Sequence, residues 1–209
     1  MRAAGLFAAL AFGLGSCGIP GSGGSGSGGS FSSGGGSGPI CGSGEIIGQP
    51  APRVDGPGQC GIRRPVQISS VGGVALTPAA TVTCETAQAL NRWVAISAKL
   101  EVARAGETLT SMRVAASYAC RSRNSRRGAR LSEHARGNAI DISAMTFRSG
   151  ASVSVAEDWR DTEFGPILQA IHRGACGTFG TTLGPGSDGH HEDHLHFDVA
   201  RHSNGPYCR

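Results

Sequence analysis

Six cysteines, Cys41, Cys60, Cys84, Cys120, Cys176 and Cys208, are spread along the chain behind an N-terminus with the marks of an export signal. No other feature limits the fold as tightly. In an exported protein an even set of cysteines is expected to oxidise, so three disulfides are the default, and each excludes every topology that cannot bring its pair together. Several pairings remain possible, and the spacing does not choose among them. No two cysteines are spaced CxxC, which argues against a zinc knuckle or a thioredoxin-type motif.

The export signal is MRAAGLFAALAFGLGSC, residues 1–17: one positive charge, an apolar run and small residues before Cys17, too short to span a bilayer. Leu14-Gly15-Ser16-Cys17 resembles a bacterial lipobox, in which the cysteine is lipidated and becomes the mature N-terminus; the alternative is an ordinary signal cut slightly later, with Cys17 discarded. Residues 18–38 hold 18 Gly or Ser out of 21, a tract with almost nothing to bury. It behaves as a flexible coil with an r.m.s. span of about 25 Å. This linker is expected to run to residue 44, with one folded domain over 45–209. The protein is expected in the bacterial envelope, in the periplasm, as a membrane-anchored lipoprotein and a monomer.

Net charge is +4, and of 19 basic residues only Lys99 is a lysine. That is too mild to imply nucleic acid, and the aromatic content of 5% offers few stacking platforms. RSRNSRRGAR, residues 121–130, concentrates five arginines. It reads either as a solvated loop or as a surface that attracts anionic carboxylates.

PVQISSVGGVAL, from Pro65, has β-branched residues around a central Gly-Gly and predicts a hairpin. Thr83 offers an N-cap with Glu85 in the first turn, and Ala89, Trp93, Ile96, Leu100 and Ala103 mark the buried stripe of a helix over 84–104, ended near Gly106. SMRVAASYA (111–119), NAIDIS (138–143) and HLHFDVA read as strands, and FRSGASVSV (147–155) as a hairpin about Gly150. Phe164, Ile167, Leu168 and Ile171 predict a second helix ended by Gly174. With no regular βα alternation and no internal repeat, the fold class is α+β: a mainly antiparallel sheet with helices on one side, stabilised by disulfides.

HHEDHLHFD, residues 190–198, packs four of the seven histidines and three acids into nine positions. In an extended HLHFDV, Leu195, Phe197 and Val199 share one face, while His194, His196 and Asp198 share the other. One face is core and the other a polar site. In RLSEHARGNAIDIS, residues 130–143, Ile140 and Ile142 point to the core, which turns Asp141 the other way, and His134 sits on the Gly-containing loop before the strand. Two histidines and an aspartate from two segments make a three-ligand set with a fourth position open for water, the composition of a catalytic zinc site. Ser132 lacks a G-x-S-x-G elbow and makes a poor nucleophile. His172, His190 and His202 are assigned no role.

Those residues carry a resemblance. SEHARGNAID is similar to the S-x-H-x-x-G-x-A-x-D signature of the LAS zinc peptidases, which include D-Ala-D-Ala carboxypeptidases, and HEDHLH resembles the H-x-D-H-x-H segment of penicillin-insensitive murein endopeptidases in that group. Over roughly residues 58–209 the chain resembles more closely the bacterial extensin-like C-terminal domain family, through CG-x-x-x-PV, SYACR-x-R-N, LSEHA-x-GNA-x-D, DW, GAC-G-x-F, LGPGSD and the terminal YCR. That family name describes no activity. The LAS resemblance implies a LAS-like fold, one Zn²⁺ ligated by His134, Asp141 and His196, and His194 as general base. It implies an oxyanion-stabilising arginine at Arg121, with Arg123 as a rival because Ala119 and Cys120 separate Tyr118 from Arg121. His191 and Asp193 are expected to orient ligands. The implied function is a cell-envelope zinc peptidase cutting amide bonds of peptidoglycan stems or crosslinks; the alternative is a non-catalytic peptidoglycan-binding or structural lipoprotein using the same pocket.

Overall fold

The computed structural model describes residues 36–209. The expected signal, the lipidation site Cys17 and most of the Gly/Ser tract lie outside the described residues. The chain enters the sheet earlier than expected, through β1 (Gly38–Ile40) and β2 (Ser43–Pro50). The proposed linker end at residue 44 is therefore corrected: residues 38–44 are strand and turn, because the Cys41–Cys84 disulfide ties them to the domain.

A short side hairpin, β3 (Val54–Asp55) and β4 (Gly61–Ile62), precedes β5 (Val66–Val71) and β6 (Val74–Val82). The last two form the hairpin read from PVQISSVGGVAL. Its turn, Gly72 and Gly73, has φ of +56° and +76°, the mirror-image geometry that matches strand twist and that other residues adopt only with strain.

The long helix runs as expected from 84 to 104, but in three pieces: α1 (Cys84–Trp93), a π turn (Val94–Ala98) and α2 (Lys99–Arg104). Thr83 caps it, its hydroxyl oxygen accepting the Thr86 N–H at 3.3 Å. Ala89 and Trp93 are buried as expected, whereas Ile96 and Leu100 are 64% and 46% exposed. Beside Ala89 and Trp93, the buried line runs through Thr86, Leu90, Val94, Ala98 and Val102. A repeat of four overshoots an α-helical turn by about 40° each time. The wider π turn rotates less per residue and swings the line back toward the core.

This helix crosses from β6 to β7 (Leu109–Ala116), and the two strands are accordingly parallel. β8 (Ala139–Phe147) turns at Gly150 into β9 (Ser152–Ser154), and α3 (Val155–Asp158) and α4 (Gly165–Arg173) follow. β10 (Thr181–Leu183), β11 (Leu195–Asp198) and β12 (Tyr207–Cys208) complete the chain. The main sheet runs β1-β2-β5-β6-β7-β8-β11-β10-β12, with β9 folded back on β8. All its pairs are antiparallel except β6–β7 and β10–β12. The fold is α+β with a mainly antiparallel sheet and three disulfides.

Trp93, fully buried, joins the helices to the sheet. Its ring lies 4.8 Å from that of Phe197 on β11, and its Nε1–H donates to the Ile171 carbonyl of α4 at 3.0 Å. The bridges are Cys41–Cys84, Cys60–Cys120 and Cys176–Cys208. The first and third pin the ends of the sheet, where β1 and β12 are too short to hold themselves by ladder hydrogen bonds.

Candidate metal centre

The two histidine-bearing segments become neighbours because β8 and β11 pair antiparallel with Asp141 directly opposite His196. Leu195↔Ile142 and Phe197↔Ile140 flank that pair and point to the core, so the hydrophobic alternation of both strands fixes the register. A one-residue slip would bury the polar set in the wrong layer. His134 comes from a 3₁₀ turn, Glu133–Arg136, just ahead of β8. That turn ends at Gly137, with φ +69°, whose missing side chain leaves room for Ile62 and whose carbonyl accepts the Thr83 N–H at 2.9 Å. The His134 loop is thereby anchored to the start of α1.

His134, Asp141 and His196 are all buried, and their facing atoms form a compact triangle. His134 Nε2 lies 3.1 Å from Asp141 Oδ1 and 3.1 Å from His196 Nδ1, and His196 Nδ1 lies 2.8 Å from Asp141 Oδ1. The outer nitrogens are already committed. His134 Nδ1 is 2.6 Å from the Ser117 carbonyl, which can only accept, and His196 Nε2 is 3.3 Å from Asp198 Oδ2. If both rings are neutral, their N–H groups point outward and two bare nitrogens face a carboxylate across about 3 Å. Three lone pairs that close repel unless a cation or a proton lies between them. Tetrahedral ligands about 2.0–2.1 Å from zinc would be about 3.3 Å apart, close to the spacing here. The donor set could hold one metal ion, with the three atoms moving apart by a few tenths of an ångström to reach zinc distances.

The same geometry sets the protonation of the metal-free site. Burial alone would depress the His196 imidazolium, but hydrogen bonds to Asp141 and Asp198 outweigh it and raise its pKa to about 9. Burial alone would raise the Asp141 carboxyl, yet His134 and His196 hold it well below the usual carboxylate range. Asp198 is lowered too: its burial is overcome by His196 and by the Ala200 N–H. Without metal, a proton on His196 occupies the position a cation would take.

Of the other expected residues, His194 reaches the triangle, with Nε2 3.6 Å from Asp141 Oδ2. Asp193 Oδ1 is 2.7 Å from its Nδ1, so Asp193 holds His194 rather than any of the three triangle residues. Arg121 closes another side, its guanidinium 4.0 Å from Asp141 Oδ2. Its rival Arg123 lines the same cavity without such a contact. The His191 ring lies 5.0 Å from that of His194 and 5.4 Å from that of His196. Its Nδ1 is held at 2.6 Å by Asp188.

Three groups have no role in the sequence reading. Asp198 sits on the polar face by strand alternation, but its bond to His196 depends on side-chain geometry that spacing does not fix. Asp188 supports His191 from a loop. The Ser117 carbonyl has no side-chain signal at all. Asp188 and Asp198 join His134, His191 and His196 in lining a cavity of about 220 Å³, with Arg121, Arg123 and Tyr207 also on its wall. His202 lies on its wall, with Nε2 2.9 Å from Thr181 Oγ1.

No curated protein and no solved structure matches the chain. The family described as extensin-like protein C-terminus matches residues 42–209, beginning within the β1–β2 turn, earlier than the residue 58 at which the motifs become recognisable. The match covers more than half of the chain and includes every residue of the metal triangle, so the protein belongs to the extensin-like protein C-terminus family.

Proposed function

We propose that the protein is an exported, zinc-dependent peptidase of the bacterial cell envelope that hydrolyses amide bonds of peptidoglycan peptides. The observation that carries the reading is the buried triangle of two imidazole nitrogens and a carboxylate, in which His134 and His196 are each held from behind and line a cavity. The likeness of SEHARGNAID and HEDHLH to LAS zinc peptidase motifs supports the same reading. Zinc in such a site supplies Lewis acidity, lowering the pKa of a water and polarising a carbonyl.

His134, Asp141 and His196 would hold the ion. His194 is suited to move the proton: Asp193 takes its Nδ1–H, which leaves Nε2 free to accept at the edge of the triangle. Arg121 would offer N–H donors where negative charge develops on the substrate carbonyl oxygen. Lipidation at Cys17 would hold the domain at the membrane through the Gly/Ser linker.

The test is metal analysis followed by a muropeptide digest with wild type and His196→Ala. Release of new peptide termini by wild type alone is expected. Equal release by both proteins would end the enzymatic claim, and retention on sacculi with no soluble product would favour a non-catalytic binding protein.

A further inference from the structure

The five arginines of residues 121–130 do not form one surface. The segment folds into a small antiparallel hairpin: Ser132 N–H donates to the Arg121 carbonyl at 3.0 Å and Arg123 N–H to the Arg130 carbonyl at 2.9 Å. Asn124 Nδ2 donates to Asp188 Oδ2 at 3.0 Å and pins the hairpin to the wall of the metal cavity. Arg121 stands at the triangle, and Arg123 lines both the metal cavity and an adjoining outer cleft of about 1040 Å³. Arg130 lines the outer cleft alone. Arg126 and Arg127 line neither space.

The two carboxylates that line the outer cleft face other arginines: Glu133 faces Arg136 at 3.7 Å, and Glu85 faces Arg201, also on the cleft wall, at 3.6 Å. Among the described residues, Arg123 and Arg130 have no carboxylate partner. Exposed guanidiniums that lead away from a metal site, along an open cleft, are matched by a chain bearing carboxylates at intervals.

We infer that Arg123 and Arg130 form a subsite for the acidic arm of the substrate, so that this protein selects stem peptides with free carboxylates over amidated ones. The inference rests on the peptidoglycan reading above and specifies its substrate class. An open cleft beyond the metal also admits a long chain on that side.

The test is calorimetric binding of the zinc-loaded full chain to a synthetic stem peptide with free carboxylates and to its amidated counterpart, at physiological salt. Wild type is expected to prefer the free acid by about tenfold or more. The double variant R123Q/R130Q should lose that preference, R123K/R130K should keep part of it, and R126Q/R127Q should retain all of it. Equal weakening by R123Q/R130Q and R126Q/R127Q would overturn the inference in favour of diffuse charge attraction. So would wild type that binds both peptides equally, a result that leaves the peptidoglycan reading intact. Wild type that binds neither peptide would overturn both.

Discussion

His172 and His196 are each 7% exposed and lie on opposite sides of β11. His172, on α4, stacks on Phe197 at 6.0 Å, among apolar groups, and its Nε2 has no hydrogen-bond partner among the described residues. Burial lowers its pKa to about 4, so it stays neutral. His196, on the other face, has a carboxylate at each nitrogen and is raised to about 9. Burial alone silences an imidazole. Burial between two carboxylates makes it a site that demands a positive charge, as proton or as metal.

Exchanging residues on the two faces should separate these behaviours. His196→Ala removes one of the three proposed ligands and should weaken zinc binding on the order of a thousandfold, read by competition with a chromophoric chelator. Unchanged affinity would show that the metal binds elsewhere. Asp198→Ala leaves the ligands but removes the group that orients His196, and a 10–100-fold loss, roughly, is expected in the same assay. Asp198→Asn keeps an acceptor and should recover part of that loss.

Proton and zinc would compete for His196, which gives the comparison a pH signature. Since the folded pKa lies near 9 and the ordinary value is 6.5, zinc affinity should rise about tenfold per pH unit across that window. Metal-free protein should do the reverse. A raised histidine pKa stabilises the fold fully below pH 6.5, and that contribution is lost as pH rises through about 9, on the order of 3 kcal/mol by chemical denaturation. A flat pH profile for both forms would remove the coupling. The smallest effect is expected at His172→Leu, which should change stability by less than about 1.5 kcal/mol and leave zinc affinity untouched.

The site was legible where side chains alternate. Ile140 and Ile142 on one strand and Leu195 and Phe197 on the other specify which face is core, and that assignment turns Asp141 and His196 toward each other. The Gly72–Gly73 turn and the Thr83 cap were legible because each needs a particular backbone chemistry. The exposure of Ile96 and Leu100 was not, since a π turn has no compositional mark and a 3.6-residue stripe assumes there is none. Disulfide pairing, the Ser117 carbonyl behind His134 and Asp188 behind His191 were hidden for a related reason: they depend on which loops meet in space. The five arginines looked alike in sequence, and only the hairpin separates those facing the cavity from those facing solvent.

The most direct measurement is a crystal structure of the zinc-loaded protein with anomalous data collected at the zinc edge. One strong peak about 2.0–2.2 Å from His134 Nε2, an Asp141 carboxylate oxygen and His196 Nδ1 is expected. Crystals containing zinc with no peak between those three atoms, or with the peak on other residues, would contradict the account.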